Sequence, residues 1–367
     1  MSAVIDLHVP DLEARILPGL EAVEDRLHQA VSHSRDLVTE LTSHLAQAGG
    51  KRMRPLLTLV AAQFGDPERA LSNEVLTAAT GIELTHLASL YHDDVMDSAP
   101  TRRGVPSAQL LWGNNRAILA GDILFARASA MIATLGDETV RHHAITFERL
   151  CMGQLNETFG PEEGDDPLTF YIQVLADKTG SLVASAAAFG AMHAGADQVT
   201  IEALTQFGER LGVAFQIADD VIDLGPAEGQ SGKTPGTDLR EGVDTLPVLL
   251  LRRAQSNGNL DPEGQKILSM LGGDLSSDEA LAAVVARLRE HQVVTQTRKL
   301  AHEWCESALE CIADLPEGAY NLEIVGSDEA GNVTNIARNF TIDRSNDKGK
   351  IDLLAPFTGE TVTGEFN

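Results

Sequence analysis

Apolar residues recur at steps of three and four along most of this chain, which predicts a succession of amphipathic helices from the N-terminus to about residue 312. The clearest case is Ile201–Leu224, where Leu204, Phe207, Leu211, Phe215, Ala218 and Ile222 form one continuous stripe. The same period runs through Ala14–Ala48, Val75–Asp97, Ala117–Ala133, Gly180–Ala194 and Ala280–Ala313. Glycine and proline predict breaks at Gly49-Gly50, Ala99-Pro100, Gly160–Pro167 and Gly225–Gly242. The last break is long and polar and carries its own Lys, Asp and Arg. A loop of that length between strong helices is uncommon unless it has a function.

Beyond Ala313 the period changes from helical to alternating. Tyr320, Leu322 and Ile324 alternate, a Gly331-Asn332 turn follows, and Ile336, Phe340 and Ile342 alternate again. A domain boundary is expected near Leu315–Gly318, with a body over residues 1–317 and a β-rich tail over 318–367.

Composition narrows the class. Hydrophobic residues make up 43% of the 367 positions and aromatics only 4%, so the core is aliphatic, rich in residues that favour helix over strand. No run of about 18 uninterrupted apolar residues appears, and the N-terminus lacks the basic and apolar regions of a signal peptide. A soluble, cytoplasmic, all-α protein without a transmembrane segment is expected. Cys151, Cys305 and Cys311 form no CxxC pair and no metal-ligand set. A net charge of −26 argues against a nucleic-acid partner, although carboxylates bind anions when divalent cations sit between them.

Two acidic clusters interrupt the apolar pattern. His92-Asp93-Asp94-Val95-Met96-Asp97 has the form DDxxD, and on a helix Asp93 and Asp97 share a face with Asp94 flanking it. Asp219-Asp220-Val221-Ile222-Asp223 repeats the arrangement inside a mostly apolar helix, where uncompensated carboxylates are costly. One such cluster is commonly just a solvated face. Two of them, each breaking an apolar stripe, read as facing walls of one site for a hard, oxygen-preferring cation such as Mg²⁺.

Basic residues gather beside these clusters in a chain with 28 basic against 54 acidic side chains. Gly49-Gly50-Lys51-Arg52-Met53-Arg54-Pro55 lies at a loop-to-helix junction, which favours anions. Arg102-Arg103-Gly104 follows the first cluster, while Lys178-Thr179 and Lys233 flank the second. His86 falls on the face of Asp93 roughly 10 Å away. The pattern offers two anion sites, one through metal and one through Lys, Arg and His.

These motifs, GGKRMRP, ELTHLASLYHDDVMD, RRG, Gly153-Gln154, KTGSL, FQIADDVID and GKTPGTDLREG, resemble the polyprenyl synthetases, the trans-isoprenyl diphosphate synthases, in order and spacing over about residues 10–312. The resemblance is to the bacterial branch that makes quinone side chains and other polyprenyl tails. It implies an antiparallel helical bundle around a central cavity, the isoprenoid synthase fold, working as a homodimer. It further implies that Asp93, Asp94, Asp97, Asp219, Asp220 and Asp223 bind a cluster of roughly three Mg²⁺ ions that grips an allylic diphosphate. By the same resemblance Arg102, Lys178 and Lys233 contact that diphosphate, and Lys51, Arg54, His86 and Arg103 hold isopentenyl diphosphate. Thr179 and Gln216 line the reacting carbons.

In this family the bulk just upstream of the first aspartate cluster limits product length. Here those positions are Ala88 and Ser89, both small, which predicts C20 or longer. A helical wheel puts Ser89 about 40° from Asp93 and Ala88 about 140° away, so geometry favours Ser89. A class I terpene cyclase would pair one DDxxD with a different metal motif and would not need the GGKR and RRG residues. The tail resembles part of a bacterial Ig-like repeat, but about 50 residues are too few for a sandwich of roughly 100. An interaction module carried by the tail is the other alternative.

Overall fold

The computed structural model describes residues 10–225, 236–240 and 242–315, together with four two-residue strands in the tail. The helices among the described residues are α1 (Pro10–Val31), α2 (Asp36–Gln47), α3 (Met53–Ala61), α4 (Asn73–Met96) and α5 (Ala108–Trp112). They continue with α6 (Asn114–Ile132), α7 (Asp137–Phe159), α8 (Pro167–Leu175), α9 (Ser181–His193) and α10 (Gln198–Ile222). The remainder are α11 (Thr237–Arg240), α12 (Leu246–Ser256), α13 (Pro262–Leu271), α14 (Asp278–Glu290) and α15 (Gln292–Ile312). A short hairpin, β1 (Thr101–Arg102) with β2 (Val105–Pro106), follows α4. The expectation of an all-α body is met.

Two helices form the centre: nearly every residue of Val75–Ala88 in α4 and of Ser181–Ala191 in α9 is buried. α4 is flanked by α1, α3, α6 and α9. α9 is built from Ala184, Ala186, Ala187, Ala188 and Ala191, all buried. Small residues let neighbouring backbones approach: a Cβ on Gly190 of α9 would fall 2.0 Å from the Thr58 carbonyl of α3. The start of α10 is fixed by Asp197, whose side chain accepts a 2.8 Å hydrogen bond from Thr200 N. Arg289 of α14 closes the other end, donating to the carbonyls of Leu224 at 2.7 Å and Gly225 at 2.5 Å.

The sequence period runs through two breaks that the structure contains. Ala14–Ala48 is divided into α1 and α2, because side chains around residues 32–39 take over backbone partners: His33 N donates to Thr39 Oγ1 and Arg35 N to His33 Nδ1. Ala280–Ala313 is divided at His291, whose backbone is extended and whose Nδ1 accepts from Val293 N, so that it caps α15. α6 with the turn after it, Asn114–Leu135, is long and apolar enough to cross a membrane by length and composition. Its outward residues Ile118 and Leu119 are continuous in type with Ile145, Met152, Leu155 and Phe159 of α7, all exposed.

In the tail, Gly326–Ser327 pairs antiparallel with Val333–Thr334, and Leu353–Leu354 pairs with Thr361–Val362; the expected Gly331-Asn332 turn lies outside the described residues. The alternating runs expected at 320–324 and 336–342 lie outside the described residues.

Candidate active site

The last turn of α4 carries the first aspartate cluster, and burial divides it. Asp94 is fully buried and its Oδ1 accepts a 2.7 Å hydrogen bond from Arg102 Nε. Asp93 is half-buried and Asp97 exposed. Burial raises the Asp93 carboxyl to about 6; Asp97 and Glu157 repel in the same direction, and Lys178 and Arg102 oppose. Asp97 is raised for the same reasons, burial first and then Glu157. The β1–β2 hairpin turns through Arg103 (φ 54°) and Gly104 (φ 74°), the left-handed pair that tight hairpins require. It sends Arg102 to Asp94 and Arg103 the other way, to the carbonyls of Leu45 (2.9 Å) and Gly49.

The second cluster ends α10 and is divided in the same manner. Asp220 is buried and accepts from Tyr171 Oη at 3.0 and 2.8 Å and from Leu246 N, the first residue of α12, at 2.9 Å. Burial raises its carboxyl to about 8; Asp238 and Asp219 add repulsion, and the two donors oppose. Asp219, Asp223 and Gln216 remain half-buried on the same helix.

Between the clusters stands a π-helical turn, Ala176–Gly180, which presents Lys178 and the half-buried Thr179. The Lys178 ammonium pairs with Glu157 of α7. Burial opposes its charge, but Glu157, Asp93 and Asp97 together hold its affinity for the proton above the ordinary value. The half-buried Tyr171 hydroxyl, which donates to Asp220, is kept in its neutral form by burial first, then by Asp220, and also by Glu157. A run of charged and polar groups, Lys178, Glu157 and Tyr171, therefore links the two clusters.

A separate basic corner lies where α3 meets α4. Arg54 has its Nε buried with no hydrogen-bond partner among the described residues. His86 is held far below its ordinary value by burial and by the charges of Arg54, Arg103, Arg102 and Arg52, so it is neutral at pH 7. Lys51 is exposed at the rim. The middle cation of this motif, Arg52, is structural: it takes a left-handed backbone (φ 50°) and pairs with Glu24 at 2.7 Å and with the buried Glu83 at 3.1 Å.

Ala88 and Ser89 part company. Ala88 is fully buried in the α4–α6 seam, where a Cβ on Gly121 of α6 would come 3.1 Å from the Ala88 carbonyl. Ser89 is half-buried, one turn before Asp93. Lys233 lies outside the described residues.

Glu157, Tyr171 and Asp238 belong to the site but no motif reading singled them out. The available signals are the four-residue step from Gly153 for Glu157 and the motif GKTPGTDLREG for Asp238; Tyr171 has none. Among the described residues no three His, Cys, Asp or Glu side chains form a ready metal cage. The donor set is instead carboxylate oxygens in accessible pairs, Asp93 with Asp97 and Asp219 with Asp223. Those residues fit a hard divalent cation that completes its shell with ligand oxygens.

The polyprenyl synthetase family model matches residues 35–288. The chain is 40% identical over 315 residues to a nonaprenyl diphosphate synthase of Mycobacterium tuberculosis, covering 86% of this chain and 92% of the relative. It is 35% identical over 300 residues to heptaprenyl diphosphate synthase component 2 of Geobacillus stearothermophilus, covering 81% and 90%. Among solved structures, it is similar to a geranylgeranyl pyrophosphate synthase from Corynebacterium glutamicum complexed with calcium and isoprenyl diphosphate. That likeness has a TM-score of 0.74 at 42% identity, covering 86% of this chain and 94% of the other.

Proposed function

The chain belongs to the polyprenyl synthetase family, and from that premise we propose how its own residues carry out the reaction. It is a trans-isoprenyl diphosphate synthase, a transferase that condenses isopentenyl diphosphate with an allylic diphosphate and elongates the product to C20 or longer. The observation that carries the reading is the separation of two anion sites. Asp93 and Asp97 face Lys178, while Arg54, His86 and Arg103 form a corner of their own.

Divalent-metal dependence goes with the family, and here Asp93, Asp97, Asp219 and Asp223 would hold Mg²⁺, in a cluster of roughly three ions. When bound, the metal neutralises charge developing on the departing diphosphate. Arg102 and Lys178, with Lys233, are the protein's direct contacts to that diphosphate. Asp94 and Asp220 act behind them: Asp94 orients Arg102, and Asp220 secures Tyr171 and the start of α12. Arg54, Lys51, Arg103 and neutral His86 bind isopentenyl diphosphate, whose charge meets the unsatisfied Arg54 Nε. Thr179 and Gln216 face the reacting carbons. Fixed cations at both ends orient the double bond toward the allylic carbon.

The exposed apolar face of α6 and α7 supports a homodimer, since a second copy would cover Leu119, Met152, Leu155 and Phe159. The heptaprenyl relative is named as one component of a synthase, so a different partner chain is the alternative. Sedimentation of the purified chain decides between them: a dimer active alone supports the first, and an inactive monomer the second.

Incubation with isopentenyl diphosphate, allylic diphosphates of three lengths and Mg²⁺ tests the whole reading. Elongated prenyl diphosphates of C20 or more are expected. Release of hydrocarbon would overturn it in favour of a cyclase, and C15 alone would overturn the length.

A further inference from the structure

Lys178 sits on a π-helical turn, a form that occurs mostly as a short insertion at functional sites and needs support from its surroundings. That support comes from one stripe of α7. Arg149, Gly153 and Glu157 stand four residues apart, so they run down a single helix face. Each meets a successive part of the turn. Arg149 donates from Nε to Asp177 Oδ1 at 2.6 Å and from Nη2 to the Ala176 carbonyl at 3.4 Å. At Gly153 a Cβ would come within 2.7 Å of the Lys178 backbone nitrogen. Glu157 pairs with the Lys178 ammonium.

The opposite side of the turn is held by α10. A Cβ on Gly212 would fall 2.7 Å from Gly180 Cα, so the two backbones touch. Arg149 reaches this wall too, donating from Nη1 to Glu209 Oε2 at 2.6 Å. One guanidinium thus ties α7, the residue preceding Lys178 and α10 together. A fork of fixed donors can do this, whereas a single ammonium cannot reach both carboxylates in the same geometry. The side chains of Arg149 and Glu209 are 31% and 37% exposed, and ion pairs so exposed add little to stability. The arrangement suits positioning better than folding.

We propose that Arg149 is a positioning residue for the allylic diphosphate site: through Asp177 and Glu209 it fixes the register of the π turn from which Lys178 reaches the diphosphate. The inference rests on the reading that Lys178 contacts that diphosphate.

The test is a double-mutant cycle between Arg149→Gln and Lys178→Ala, with Arg149→Lys as the conservative variant. Measured are KM for the allylic and isopentenyl substrates, kcat, the melting temperature, and binding of inorganic pyrophosphate with Mg²⁺ by calorimetry. Arg149→Gln is expected to raise the allylic KM and weaken pyrophosphate binding about tenfold, leaving the isopentenyl KM within about twofold. Arg149→Lys recovers part of the loss. In the Lys178→Ala background the further change on adding Arg149→Gln falls below about twofold, because the effect passes through Lys178. Equal losses in both backgrounds, or equal losses for both substrates, overturn the proposal while leaving the role of Lys178 standing. If Lys178→Ala alone leaves the allylic KM unchanged, the Lys178 reading falls and takes the proposal with it. Should Arg149→Gln not fold, Asp177→Asn removes one arm of the same clamp and carries the same expectations.

Discussion

Asp94 Oδ1 accepts a 2.7 Å hydrogen bond from Arg102 Nε, and this pair divides the first aspartate cluster into an inner anchor and an outer pair. Asp220 occupies the same inner position in the second cluster, bound by Tyr171 and the Leu246 amide. The repetition follows from helix geometry. Residues i and i+4 share a face, whereas i+1 is turned about 100° away, toward the neighbouring wall. Each DDxxD thus leaves two carboxylates accessible and holds the third in buried hydrogen bonds.

The division predicts two kinetic classes. Asp93→Asn and Asp219→Asn should lower kcat by roughly 10²–10³-fold, the scale on which lost charge stabilisation of a transition state is felt. Asp94→Asn should act through Arg102, raising the allylic KM by about tenfold with a smaller loss in kcat. Its effect should largely vanish when Arg102 is already Ala. Steady-state kinetics on these variants checks this, and equal kcat losses for Asp93→Asn and Asp94→Asn would refute the division.

The Asp220 carboxyl, raised to about 8, links stability to pH in the metal-free protein. A folded-state value above the unfolded one means the native chain holds the proton more tightly between the two. The stabilisation is present at low pH and is lost as pH rises through about 8. His86, His142, His143 and His193, whose values are lowered by burial, work in the opposite sense but finish titrating by about pH 7. The melting temperature without metal should therefore fall from pH 7 to 9, and Asp220→Asn should remove most of the fall. The Cys151 and Cys311 thiols, also raised by burial, account for the rest. Mg²⁺ with pyrophosphate should flatten the fall, because cation binding offsets the buried charge.

Arg52 and Arg54 stand two residues apart and should respond oppositely to neutralisation. Arg52→Met removes the hydrogen-bonded ion-pair partner of the 2%-exposed Glu83 carboxylate, at a cost of about 3 kcal/mol. Arg54→Met removes a guanidinium whose Nε is buried without a hydrogen-bond partner among the described residues, so stability should stay level or rise by about 1 kcal/mol. The same change should raise the isopentenyl KM about a hundredfold. Denaturant unfolding together with kinetics separates the two residues. A loss of stability in Arg54→Met equal to that in Arg52→Met would count against the assignment.

Much of this was legible in the sequence because it is periodic or local. The apolar stripe of Ile201–Leu224 coincides with α10, and both DDxxD clusters lie on helices as their spacing implies. The interruptions at His33 and His291 were not legible, since side chains that cap a backbone leave the apolar period intact across the break. Glu157 and Tyr171 were missed because their roles arise from partners that only the fold brings near. Nor could the motif GGKRMRP say which of its cations would be turned inward. Arg52 is claimed by Glu24 and Glu83, which lie on α1 and α4.

Product length supplies the last prediction, and Ala88 and Ser89 separate cleanly in it. Both are small, and from the sequence either could leave room for a growing chain above Asp93. Ala88 is fully buried where α4 meets α6, against a glycine that is itself required for the close approach. A phenylalanine there must force the helices apart, and overpacking of this kind costs roughly 1–3 kcal/mol or more. Ser89 is half-buried, and its hydroxyl is already satisfied by the His86 carbonyl at 2.9 Å, so the surrounding backbone does not depend on it. Ser89→Phe should therefore fold normally and shorten the product by one or more isoprene units. Ala88→Phe should lower the melting temperature whatever it does to the product. Chromatography of the reaction products beside a thermal melt of each variant distinguishes the positions. An unchanged product from Ser89→Phe, with a shortened one from a stable Ala88→Phe, would place the floor of the cavity on the α6 side of α4 instead.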